Sequence, residues 1–429
     1  MQFASSHILS SPVLLGSLLL SATACDRSEN GPTDTSVGLM AEETVPVGDA
    51  DLVVDAGAQD EPIEPWQAHL LDLAFDSASK MPVDPHVKSR SRAQERVFDA
   101  CIEMGLHERA LRYADQIGNW RKGAAYAIYV AHCAKSELPC DSERYLAMAR
   151  EISAQTEGWR SDRIKNEIAA AHAWLGDSTK AEAFSSDLDE SETGRINSVL
   201  ALTSEEEDFE ERLNQIVLLS GTGNFDLAKH ALFSGVALHR RYYSAPERRD
   251  LVERVIGESW AKTPYNIRAE VLTGMAETAL ANGDSENALR LVGSAREMIA
   301  ERTWNPDDYL PLCGPISAIT YLAGDTRGGL ELASEAIDYY EDRVRLVPNI
   351  YVAETLRPIA ESYVRMGRSE EAMALYRRVL EAGVDNPNSV PRAEDLAETC
   401  TSMALYGVQP PRDLMDRMDS MQAELGSPW

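Results

Sequence analysis

Six cysteines and eight histidines are the side chains here best suited to chemistry. A thiol can act as nucleophile, metal ligand, half of a disulfide or small buried apolar group. Cys25 follows an apolar run, while Cys101, Cys133, Cys140, Cys313 and Cys400 are scattered through the rest of the chain. Cys133 and Cys140 flank a predicted turn that contains Pro139, with a helix expected on either side. A bridge between them would close a short loop and stabilise by on the order of 3 kcal/mol at most. Cys101 competes as a partner, because its helix should pack nearby. Cys313 and Cys400 read as buried apolar residues. If Cys25 is modified, five thiols remain, so at least one stays unpaired or pairs between molecules. His132 beside Cys133 and Cys140 falls short of a metal site: there is no second Cys-x2-Cys and no His-x3-His. His230 and His239 are nine residues apart, too far for one helical turn, and read as packing or surface residues.

Other chemistries leave no motif. There is no Gly-x4-Gly-Lys-Ser/Thr, no Gly-x-Ser-x-Gly and no His-Glu-x-x-His. Gly221-Thr222-Gly223 lacks the third glycine of a dinucleotide fingerprint. Ser186-Asp187-Leu188-Asp189-Glu190 lacks the glycine and distal glutamate of a calcium loop. Paired carboxylates abound, but 70 acidic residues make such pairs commonplace. Acid–base catalysis needs two groups in one cleft with their pKa values driven apart, which a sequence does not display. A formal charge of −29 repels phosphates and argues against a nucleic-acid partner. The reading is therefore non-catalytic, with no cofactor and no metal.

The elements that must position any site are helices. Alanine- and leucine-rich segments alternate with charged residues, and no run of alternating Val, Ile and Thr suggests a sheet. One corner recurs: Gly367 with Ala372, Gly283 with Ala288, Gly176 with Ala181, Gly105 with Ala110, Gly223 with Ala228, and Gly324 with Gly329. Glycine closes one helix in the left-handed region, a capping residue such as Ser369 opens the next, and the small residue lets the two helices cross closely. A small residue also stands seven before, at Ala360, Ala276 and Ala169. This pattern resembles the tetratricopeptide repeat (TPR) family, which implies an all-α fold, an α-solenoid of stacked helical hairpins. Residues 353–382 and 269–301 match best, within a clearest stretch of 264–406. Spacings of 41 residues from Gly283 to Gly324 and 43 from Gly324 to Gly367 exceed the family's unit of about 34.

The amino end reads as an address. Residues 8–20 are largely apolar but too short to span a membrane permanently. Leu18-Leu19-Leu20-Ser21-Ala22-Thr23-Ala24-Cys25 resembles a bacterial lipoprotein box, which implies diacylation of the Cys25 thiol and a lipid-anchored place in the cell envelope. Ala22-x-Ala24 also suits ordinary cleavage and a secreted or periplasmic soluble protein. Asp26 resembles an inner-membrane retention signal. Residues 26–65 hold eleven acidic residues against Arg27 alone, so a disordered acidic tether is expected between a signal peptide at 1–25 and a solenoid at 66–429.

Within that body, residues 66–75 read as a short amphipathic helix capping the stack, ended by Pro82 and Pro85. Helices are expected near 92–104, 107–117, 120–136, 142–156, 160–175 and 178–186, and the polar last helix as a solvating cap. Val271, Leu272, Met275, Ala276, Ala279 and Leu280 form one apolar stripe, and Ala288, Leu289, Val292, Ala295 and Ile299 its partner. The TPR resemblance implies a concave groove lined by first helices. Its positions here are Glu270, Thr273 and Glu277, then Glu354, Arg357 and Glu361, with Pro311, Gly314 and Ala318 between. The family's lysine–asparagine clamp for a terminal carboxylate has no counterpart at these positions. A glutamate-rich groove suits a basic or neutral protein or peptide. The expectation is a membrane-tethered scaffold or adaptor, bound to the bilayer through Cys25, with an enzyme or small-ligand receptor using the concave face as the alternative.

Overall fold

The structure, a computed structural model, describes residues 60–186, 188–384 and 386–429. Up to residue 59, the stretches expected to be an export signal and an acidic tether, with Cys25, lie outside the described residues. Among the described residues there are nineteen α-helices and no strand, so the chain is all-α. The even-numbered helices are α2 (Val83–Glu103), α4 (Arg121–Lys135), α6 (Trp159–Trp174), α8 (Glu190–Thr203), α10 (Phe225–Arg241), α12 (Tyr265–Ala281), α14 (Pro306–Leu322), α16 (Val352–Arg365) and α18 (Ser389–Leu405). The odd-numbered ones are α1 (Pro65–Lys80), α3 (His107–Ala114), α5 (Ser142–Ala154), α7 (Ser178–Ser185), α9 (Phe209–Gly221), α11 (Pro246–Ser259), α13 (Ser285–Ala300), α15 (Thr326–Arg343), α17 (Ser369–Val384) and α19 (Arg412–Ala423). No described helix is long and apolar enough to cross a membrane.

The corners form as their glycines dictate. Gly105, Gly176, Gly223, Gly283, Gly324 and Gly367 all have positive φ, and so does Gly407 before α19. At Gly283 the chain makes the paired closing bonds of a left-handed helix end, Gly283 N–H to Leu280 O at 3.0 Å and Asp284 N–H to Ala279 O at 3.0 Å. Asp177, Asp284 and Asp325 then cap the following helices through the N–H groups of Lys180, Asn287 and Gly328. Ser369 is already the first residue of α17, one step inside the expected cap position. Ala110, Ala181, Ala288 and Ala372 are buried where the helices cross. Ala228 is only half-buried, because Gly223 joins an odd helix to the next even one rather than an even helix to its hairpin mate.

Packing runs in a circuit. Each even helix from α2 to α18 lies against the next, and α18 returns to α2. Helix α1 is seated against both α18 and α2, so it joins the two ends instead of capping one of them. Gln67 Nε2 donates to Ala404 O at 3.0 Å, and Lys80 Nζ donates to Gln422 O at 2.6 Å. Ala78, Met81, Ala93, Val390, Ala393 and Leu425 form an apolar cluster that exists only through this closure. One larger core runs from Leu70 to Met421 and contains both expected stripes, with Leu280 and Leu289 half-buried against it. Contacts of the folded body begin before the expected boundary at residue 66. Glu61 N–H donates to Gly105 O at 3.0 Å, and Asp60 accepts from Glu108 N–H at 2.6 Å, so residues 60 and 61 lie on the α2–α3 corner.

Candidate binding site on the inner helices

Helix α16 sets the site. Arg357, Glu361 and Arg365 follow at spacings of four residues and therefore share one face. Arg357 Nη1 donates to Glu398 Oε2 of α18 at 2.5 Å. Arg96 of α2 reaches the other oxygen of the same carboxylate, so three helices converge on Glu398. Arg365 Nη1 reaches past α14 to Glu277 Oε1 of α12 at 3.1 Å. Ser402 Oγ of α18 donates to Glu361 Oε1 at 2.7 Å and lies 2.8 Å from the Tyr376 hydroxyl.

A second group continues along the same inner faces. Arg121 of α4 is clamped to Glu95 of α2. Arg163 of α6 pairs with Glu192 of α8 at 3.3 Å, and Asn166 Nδ2 donates to the Glu192 carbonyl at 2.5 Å. Burial, then repulsion from Glu192 and Glu95, pushes the Glu167 carboxyl up to about 7 against the pull of Arg163. Asp395 is likewise pushed up to about 7, by burial and by Glu394 and Glu354, with Arg357 opposing. Burial raises Asp99 and Glu361 too. Arg96 keeps 43 % of its side chain accessible, while desolvation together with Arg92 and Arg357 lowers its guanidinium.

The expected groove residues divide. Glu277, Arg357 and Glu361 belong to this network. Glu270, Thr273 and Glu354 are half-buried on the same helices, and the Thr273 hydroxyl donates to Ala269 O. Gly314 and Ala318 do not line a groove. Both are buried, and a Cβ on Gly314 would stand 2.7 Å from Pro358 O, so this face of α14 is spent on packing against α16. Arg96, Asp99, Arg121, Arg163, Glu167, Glu192, Asp395 and Glu398 escaped the sequence reading. Their signal was charge at three- or four-residue spacing, as in Arg92, Arg96 and Asp99 of α2 and Arg163 and Glu167 of α6, but these helices carry so many other charges that the spacing did not stand out.

The thiols and imidazoles play other parts. The expected Cys133–Cys140 bridge is not formed, and both residues are thiols. Cys133 is buried against Tyr129, and the Cys140 Sγ lies 3.2 Å from Ser142 Oγ. His132 meets His107 ring to ring, Nε2 to Nε2 at 3.2 Å, and burial with His107 alongside pushes it down to about 4. His239 is fully buried with Nε2 3.1 Å from Glu253 Oε1. Cys101, Cys313 and Cys400 are buried, and burial raises each thiol. No protein-family model matches the chain, and no curated protein is significantly similar to it.

Proposed function

We propose that the chain is a TPR-like helical-repeat protein that binds a polar partner on the inner faces of its even-numbered helices. The convergence of Arg96, Glu277, Arg357, Glu361, Arg365 and Glu398 carries this reading. Six charged side chains from four helices are costly to gather in a recess, and a site that must recognise polar groups gives them a use. The partner is a protein or peptide, and the lipid expected on Cys25 holds the body in the cell envelope. Recurrent left-handed glycine corners and capping aspartates support the repeat assignment.

A photo-crosslinking residue in place of Glu270 tests it, with the same residue in place of the exposed Glu331 on α15 as control. A specific product from cell envelopes at position 270 alone is the expected result. Equal products, or none from the inner face, would overturn it. Cys25→Ser should release the protein from the membrane fraction, and unchanged fractionation would reject the anchor.

One observation favours a second reading, a small-ligand receptor or an enzyme. Glu167 and Asp395, both poised near 7 within the recess, could exchange protons at neutral pH. Saturable binding or turnover of a small molecule that is lost in Glu167→Gln would select it.

A further inference from the structure

Arg357 is 8 % exposed and commits only Nη1 to Glu398. Its Nε and Nη2 atoms are buried without a partner. These two N–H groups point the same way and form the side-on edge of the guanidinium, a planar fork matched to two oxygens of one acid group. Two turns further along the same face of α16, Arg365 pairs through Nη1 and leaves its Nε unpartnered as well. The neighbouring carboxylates are already engaged: Glu398 by two arginines and Glu361 by Ser402. A buried donor left unmade carries its whole desolvation cost, so the empty edge calls for an acceptor.

We propose that the Nε/Nη2 edge of Arg357 receives a single carboxylate brought to the inner face by a ligand. This rests on the inner face being the binding surface. The occupant carries one negative charge rather than two. Glu354, Glu361, Asp395 and Glu398 surround the arginine, and a dianion such as phosphate would meet about twice the repulsion of a carboxylate.

Nitrogen-15 arginine labelling of the full chain reads the Nε–H groups directly, with the Arg357 signal assigned by its loss in Arg357→Lys. Sodium acetate at pH 7 should shift this signal saturably, while chloride and phosphate at matched ionic strength should not. The acetate-dependent rise in melting temperature should vanish in Arg357→Lys, which keeps the charge but removes the fork, and persist in Arg378→Lys on the outer helix α17. If Arg357→Lys does not fold, the wild-type signal, recognised as the one that moves with acetate and not with chloride, decides alone. A response to a blocked aspartyl peptide without one to acetate places the carboxylate on a partner protein's side chain. Equal shifts with chloride or phosphate, or no shift with any carboxylate, overturn the proposal. If the position-270 crosslink still forms in that case, only the carboxylate assignment falls; if it too is missing, the inner-face reading falls with it.

Discussion

Glu167 shows how the inner face trades stability for charge. Its carboxyl is held near 7, against 4.5 for an ordinary glutamate, so between those values the native chain keeps a proton that the unfolded chain has lost. The native state then binds more protons, and stability falls as pH rises through that window, with the full penalty above about 7. The span is worth on the order of 3 kcal/mol at most. Glutamine keeps the shape of the protonated acid without the charge. Glu167→Gln should therefore melt with wild type at pH 5 and a few degrees higher at pH 8, as read by calorimetry. Asp395→Asn should follow the same course for the same reason. The opposite pH trend for Glu167→Gln would mean that Arg163, not burial, governs this group.

At the scale of the helix, the tight crossings carry more weight than the open corners. A Cβ at Gly314 would meet Pro358 O at 2.7 Å, and one at Gly329 would meet Ser317 O at 2.6 Å, and neither backbone can step aside. Alanine at either position should cost about 1–3 kcal/mol in denaturant unfolding. Gly367 has open space but φ +70°, so Gly367→Ala should cost only about 1 kcal/mol, from the left-handed backbone alone. Asp284 caps α13 and also accepts from the Tyr243 hydroxyl at 2.8 Å, so Asp284→Ala should cost about 1–2 kcal/mol. These features also mark what the sequence disclosed. Corner glycines, capping acids and alanine crossings are local rules, and they placed α3, α4, α5, α6 and α7 to within a few residues. The partners of Arg357 were not legible, because Glu398 and Arg96 come from helices 41 and 261 residues away and nothing local selects them. The Gly223 corner misled for a related reason: its residues obey the corner rule, but which helix faces inward depends on the stacking of the whole series.

Over the whole molecule, α1 has the largest consequence. Leu70 and Leu71 are fully buried, and α1 touches both α18 and α2. Leu71→Ala should cost about 2–5 kcal/mol and, by hydrogen exchange, loosen α18 and α19 as much as α2. Loosening confined to α2 would show that the two ends hold independently. The charge of −29 should also make the fold more stable in moderate salt, since screening weakens self-repulsion while the recessed pairs are less affected.

The seating of α1 also sets an order of events at the ribosome. More than three hundred residues must be made after Leu71 before α18 emerges to cover it. For that whole interval the newborn chain carries an oily helix with only α2 for shelter, so the last stretch of synthesis, from Ser389 onward, decides whether the first helix finds its place or sticks to something else.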